Sequence, residues 1–160
     1  MTYDCALSDT NVGPQRQNEA RKDVSDAERK RILIVDDDPS HLDIYGMIVD
    51  REGYLPVPLL VRFAGPEPVP DGEIAVILLD YRMNSVKTTP EIAQELKAKH
   101  PEAPILLLSD LWTMPEDIQP YASDFVRKGE PEKLLKALHR LITDDGDGVP
   151  PQKDDPGKDQ

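Results

Sequence analysis

What the chain lacks narrows its function first. Basic residues are scarce: 19 Lys and Arg stand against 31 Asp and Glu, giving a formal net charge of −12. Non-specific nucleic-acid binding needs basic patches, and adhesion to an anionic membrane needs polybasic segments, so the charge disfavours both. There is one cysteine, Cys5, which excludes an intrachain disulfide. No apolar run approaches the length needed to span a bilayer, and the N-terminus carries no apolar core of a secretory signal. No internal repeat is present. The expectation is a soluble cytoplasmic protein with a single domain, since 160 residues suffice for one real core.

What is present is organised around residues 32–39, ILIVDDDP. Four apolar residues, rich in β-branched types, suit a strand buried on both faces. Asp38 and Pro39 read as the cap and first position of a helix that starts where the strand ends. Asp36 and Asp37 then lie at the carboxyl end of a central strand, the edge where open α/β sheets bind ligands. Two adjacent carboxylates repel unless a cation lies between them, and Mg²⁺ takes such oxygens. The alternative is a solvated acidic turn capping a helix, and this stretch alone leaves both open.

The remaining chain alternates strand and helix. Residues 1–30 lack hydrophobic periodicity and are expected to be a disordered polar arm, apart from a helical turn or two over 23–31. Residues 40–52 have helical spacing, with Leu42, Tyr45 and Val49 on one face and Ile44 and Ile48 beside it, ending at Gly53. Residues 54–61 are apolar but contain Pro56 and Pro58, which predicts an edge strand. Prolines at 66, 68 and 70 forbid a regular helix in the next connection. A second buried strand spans 74–79 and ends at Asp80. Thr88 or Thr89 caps a helix, with Glu91 placed for a capping box, running to about His100. A third buried strand, 105–108, ends at Ser109, and a short one, 124–127, ends at Lys128. Residues 131–142 form an amphipathic helix with Leu134, Leu135, Leu138, Leu141 and Ile142 inward. From 143 the chain is Pro/Gly-rich and acidic, and is expected to be a disordered tail.

This alternation implies a parallel, doubly wound sheet, which brings Asp36, Asp37, Asp80, Ser109 and Lys128 to one edge. The combination of VDDDP, LLDYRM, LLLSD and DFVRKGEP at successive strand ends resembles the receiver domain of two-component response regulators, over about residues 31–142. Asp80 follows Asp36 by 44 residues, close to that family's interval. The resemblance implies a flavodoxin-like α/β fold with five parallel strands in the order 2-1-3-4-5. It implies that Asp80 is the phospho-acceptor, that Asp36, Asp37, Asp80 and the backbone carbonyl of Arg82 hold Mg²⁺, that Lys128 is the site lysine, and that Ser109 and Phe125 are the switch residues. It further implies a sensor histidine kinase or phosphotransfer protein as donor, an unknown downstream protein as target, and no enzyme activity beyond self-phosphorylation and autodephosphorylation.

The chain also departs from the pattern. Asp110 follows Ser109 where receivers usually have a small residue, Gly129 follows Lys128 where many have proline, and Asn84 replaces a frequent proline. The second and fourth crossover helices are shortened or missing, with Asp117 and Ile118 on what remains of the fourth. Two rivals follow: a degenerate receiver that signals without phosphorylation, and a small Mg²⁺ phosphohydrolase. The second has Arg82 where an acid is needed two residues after Asp80. His41, His100 and His139 are read as surface residues, Cys5 as inert, and Trp112 as either partly buried core or an exposed contact.

Overall fold

Residues 25–144 are described by a computed structural model of the chain. The arm to residue 24, with Cys5, and the tail from 145 lie outside them. The 32–35 run is buried as its composition requires and forms the core of strand β1 (Arg31–Asp36). Helix α1 (Pro39–Arg51) follows at once, because Asp38 caps it: the Ser40 N–H donates to Asp38 Oδ1 at 2.8 Å, and Pro39 supplies the first helical φ. Strands β2 (Leu55–Arg62), β3 (Gly65–Pro66) and β4 (Val76–Asp80) come next, then α2 (Thr89–Lys99), β5 (Ile105–Ser109), β6 (Asp124–Arg127) and α3 (Pro131–Thr143). Thr88 and Glu91 close the expected capping box on α2. A single 3-10 turn, Asp26–Glu28, precedes β1.

The sheet order is β3-β2-β1-β4-β5-β6, and every pairing is parallel except β2–β3. Without β3 this is the 2-1-3-4-5 order. The two-residue β3 was not legible in the sequence: it turns the chain back on the end of β2 and pairs Val61 with Pro66. Pro56 and Pro58 fit β2 because the Leu55 N–H points inward, donating to the Lys30 carbonyl at 2.9 Å. Alternation turns the next position outward, so the donors that proline lacks would have faced away from β1.

Alternate strand residues face two apolar layers. Ile32, Ile34, Val76, Leu78, Leu106 and Leu108 pack under α1 and α3, against Leu42, Val49, Leu134 and Leu138. Leu33, Val35, Ile77, Leu79, Ile105 and Leu107 face α2, the one helix on that side among the described residues. The two missing helices belong to this second face, and irregular chain covers it instead. Between β3 and β4 the segment is irregular, as its prolines require. It is tied by the Arg31 guanidinium to the Asp71 carbonyl at 2.8 Å and by His100 Nε2, donating to the Pro70 carbonyl at 3.0 Å. His100 is therefore buried, which corrects its surface reading. Between β5 and β6 the chain makes only turns, and Ile118, fully buried, plugs the layer. Ile44 faces solvent more than the periodicity implied, at 49% exposure. Among the described residues no helix is long and apolar enough to cross a membrane.

Candidate functional site

Strand ends deliver the chemistry. Asp36 is the last residue of β1, Asp80 of β4 and Ser109 of β5, while Lys128 directly follows β6. Parallel pairing sets these ends side by side. Asp36 and Asp80 are almost completely buried, at 1% and 2% exposure, and Asp37 is half-buried. A carboxylate oxygen from each of the three lies within 4.8 Å of the others. Buried carboxylates this close are costly unless protonated or compensated by positive charge.

Each acid has a distinct set of partners. Asp36 Oδ1 accepts the Asp38 N–H at 2.9 Å, and Oδ2 lies 3.2 Å from His41 Nδ1. Asp37 Oδ2 accepts the Asn84 N–H at 2.8 Å, which ties the loop after β4 to the loop after β1. Lys128 Nζ stands 2.8 Å from Asp80 Oδ1. No other group among the described residues reaches Oδ1, so the ammonium alone compensates its burial. Burial pushes the Asp80 carboxyl up, the Lys128 ammonium pulls it back, and Asp36 raises it again, leaving it at about 6. Burial likewise raises Asp36. Burial works against the Lys128 ammonium, but the Asp80 contact outweighs it and holds the pKa above its ordinary value.

The donor set suits a hard divalent cation: three carboxylates, no sulfur, and one buried oxygen with an unused lone pair. Ser109 is buried beside them, its carbonyl accepting the Lys128 N–H at 2.9 Å and its Oγ accepting the Leu111 N–H at 3.2 Å. Gly129 has φ +83, a left-handed conformation that proline cannot adopt, so this chain turns after its lysine differently from a Lys-Pro sequence. Phe125 is half-buried in the α2 layer. Arg82 lies two residues beyond Asp80 in the loop that Asn84 pins. Asp110 is exposed at the end of β5.

Two neighbours were not legible as site residues. His41 was read as a surface residue, yet its ring reaches the Asp36 carboxylate. Tyr81, next to Asp80, donates its hydroxyl to Asp117 at 3.1 Å, linking the end of β4 to the helix-free connection between β5 and β6. Beside the site, His41, Tyr45, Lys128 and Leu134 help line a cleft of about 260 Å³ between α1 and the start of α3. Trp112 is exposed, with the Arg127 guanidinium 3.7 Å above its ring. His139 stays at the surface near Glu52.

No protein-family model and no curated protein matches the chain. Solved structures do. A CheY-like response regulator receiver domain protein from Methanospirillum hungatei JF-1 is 20% identical, with a TM-score of 0.60 over 72% of this chain and 95% of that one. Chemotaxis protein CheY4 of Vibrio cholerae is 24% identical, with a TM-score of 0.56 over 71% and 98%. NtrX from Brucella abortus, solved with ADP, is 22% identical, with a TM-score of 0.57 over 72% of this chain but only 27% of its own length. The order of strands, the acidic edge and these likenesses agree: the chain has the fold of a response regulator receiver domain.

Proposed function

We propose that this chain is a phosphoryl acceptor of two-component signalling, taking the group on Asp80 with the help of Mg²⁺. The observation that carries the reading is the Asp80 carboxylate. It is buried, its Oδ1 meets only a lysine ammonium at 2.8 Å, and two further carboxylates lie within reach of one cation. A structural ion pair alone would not need the buried Asp36 and the half-buried Asp37 beside it. Asp36, Asp37, Asp80 and the backbone carbonyl of Arg82 would hold the ion, which neutralises charge on the transferring group.

The chain's own residues then divide the work. An Asp80 oxygen attacks phosphorus, an O–P bond forms, and the bond from phosphorus to the donor breaks. With a phosphohistidine donor the ring nitrogen keeps the electron pair. Lys128 keeps its proton and offers positive charge to a phosphoryl oxygen. Ser109 has a hydroxyl that can donate to another once its rotor turns. Arg82, where a phosphohydrolase needs an acid, favours acceptance over rapid turnover.

The donor would be a sensor histidine kinase or a phosphotransfer protein, acting in the cytoplasm. One similar structure, at 23% identity and TM-score 0.58, is of histidine kinase ThkA in complex with response regulator protein TrrA. Output would pass through contact with a downstream protein, moved by Ser109 and Phe125. Intact mass after incubation with a small phosphodonor tests the reading. A gain of one phosphate should require Mg²⁺ and vanish in Asp80→Asn. An unmodified wild type at saturating donor would leave a receiver that acts without phosphorylation.

A further inference from the structure

The Asp36 carboxylate is held at both oxygens, and one of the two donors is a side chain that the receiver pattern does not assign. Oδ1 accepts the Asp38 N–H at 2.9 Å, a contact any chain making this turn can form. Oδ2 lies 3.2 Å from His41 Nδ1. When Asp36 is ionised, as it is when it holds a cation, its carboxylate only accepts, and the hydrogen of this contact belongs on Nδ1. Nε2 then turns away, 3.9 Å from Asp38 Oδ2 and beyond hydrogen-bond reach.

The ring is well placed for this. His41 is the third residue of α1, and the helix start is fixed by the Asp38 cap, by Pro39 and by the His41 N–H donating to the Asp38 carbonyl at 3.1 Å. Side chains in a helix lean towards its N-terminus, which here means back towards the end of β1. Tyr45, one turn on, meets the ring edge-on at 6.4 Å between centroids. One donor on each oxygen stops the carboxylate plane from rotating and leaves a lone pair free on each. Asp37 has its own anchor in the Asn84 N–H.

We infer that His41 is a positioning residue: its Nδ1–H, 3.2 Å from Asp36 Oδ2, fixes the plane of that carboxylate for divalent-cation binding. The inference rests on the metal reading above. Partners that orient a metal-binding side chain are typically worth 10- to 100-fold in metal affinity. A carboxylate free to rotate must be ordered when the ion binds, and that cost appears in the dissociation constant.

Calorimetric titration of the full chain with Mg²⁺, at fixed pH and ionic strength, tests this. His41→Leu should bind roughly tenfold more weakly or worse. His41→Asn should hold affinity near the wild type, because its amide nitrogen sits as many bonds from Cα as Nδ1 does. His41→Gln, whose amide matches Nε2 instead, should not. Equal affinity in His41→Leu and the wild type would overturn the inference, as would His41→Asn binding as weakly as His41→Leu. If His41→Leu fails to fold by circular dichroism, the Asn and Gln pair decides alone, and equal affinity in those two overturns it. Asp37→Ala separates this inference from the one beneath it. A wild type that gives no Mg²⁺ heat, or an Asp37→Ala that binds as well, sinks the metal reading and this inference together. A wild type that binds and an Asp37→Ala that does not, with His41→Leu unchanged, sinks this inference alone.

Discussion

Replacing Asp80 with asparagine should change the stability of the metal-free protein in a pH-dependent way. Asp80 is 2% exposed and titrates at about 6 in the fold, against an ordinary 3.8. The folded wild type thus takes up this proton near pH 6, and the unfolded chain only near pH 4. Lowering the pH through that window favours the folded wild type, and raising it takes the advantage away. At about 1.4 kcal/mol per pKa unit, the ionised carboxyl costs the fold at most about 3 kcal/mol at pH 7.5. Asp80→Asn carries no such cost, although it loses the counter-charge of Lys128. That loss changes little over this range, so the quantity to measure is how the stability difference varies with pH. Urea unfolding with chelator present, at pH 7.5 and pH 4.5, should show the variant losing about 2 kcal/mol relative to the wild type on acidification, the last part of the effect lying below pH 4.5 where the unfolded carboxyl titrates. On thermal melting this is a relative shift of roughly 7 °C for a domain of this size. A constant difference at both pH values would mean that Asp80 is not a buried acid with a raised pKa. A relative gain by the variant on acidification would reverse the sign and refute the reasoning outright.

Three further outcomes are expected. Ile118→Ala should cost about 2–5 kcal/mol in urea unfolding, since the fully buried side chain stands in for a missing helix; a loss well under 1 kcal/mol would show that the connection contributes little to the core. Tyr81→Phe should leave global stability within about 1.5 kcal/mol but speed amide exchange over residues 110–122, because the Asp117 contact is lost; unchanged exchange there would rule out the tether. Gly129→Ala should destabilise by about 1 kcal/mol through its φ of +83 and slow phosphoryl uptake by displacing Lys128; wild-type uptake kinetics would show that this turn does not set the lysine's position.

The elements that the sequence made legible are those whose signal is local. Residues 32–35 are apolar because both faces are buried, and the polar residue after each run marks the strand end, which is how Asp36, Asp80, Ser109 and Lys128 could be assigned to one edge. Caps at Asp38 and Thr88 announced two helices. Three features stayed hidden because they depend on approach through space. Strand β3 is two residues long and is made by the turn rather than by a β-rich run. His100 is the last residue before a proline and looks polar in context, but the irregular 67–72 segment meets it at the Pro70 carbonyl. His41 occupies the third position of a helix that begins straight after a strand, from which a side chain reaches back towards the strand end. That spacing is itself a readable signal, although the three histidines are scattered along the chain.

The prolines of β2 bear on how the molecule behaves in a crowd. A strand at the side of a sheet offers its outward N–H and C=O groups to any passing strand, and the usual result is pairing between molecules. Here Pro56 and Pro58 have no hydrogen to offer, and the turn into β3 occupies the side of Val61 and Arg62. A foreign strand laid along β2 would find alternate donors absent and the far end taken. This side of the sheet is thus closed to templated growth without a covering helix, in a chain that has lost the crossover helix between β2 and β4.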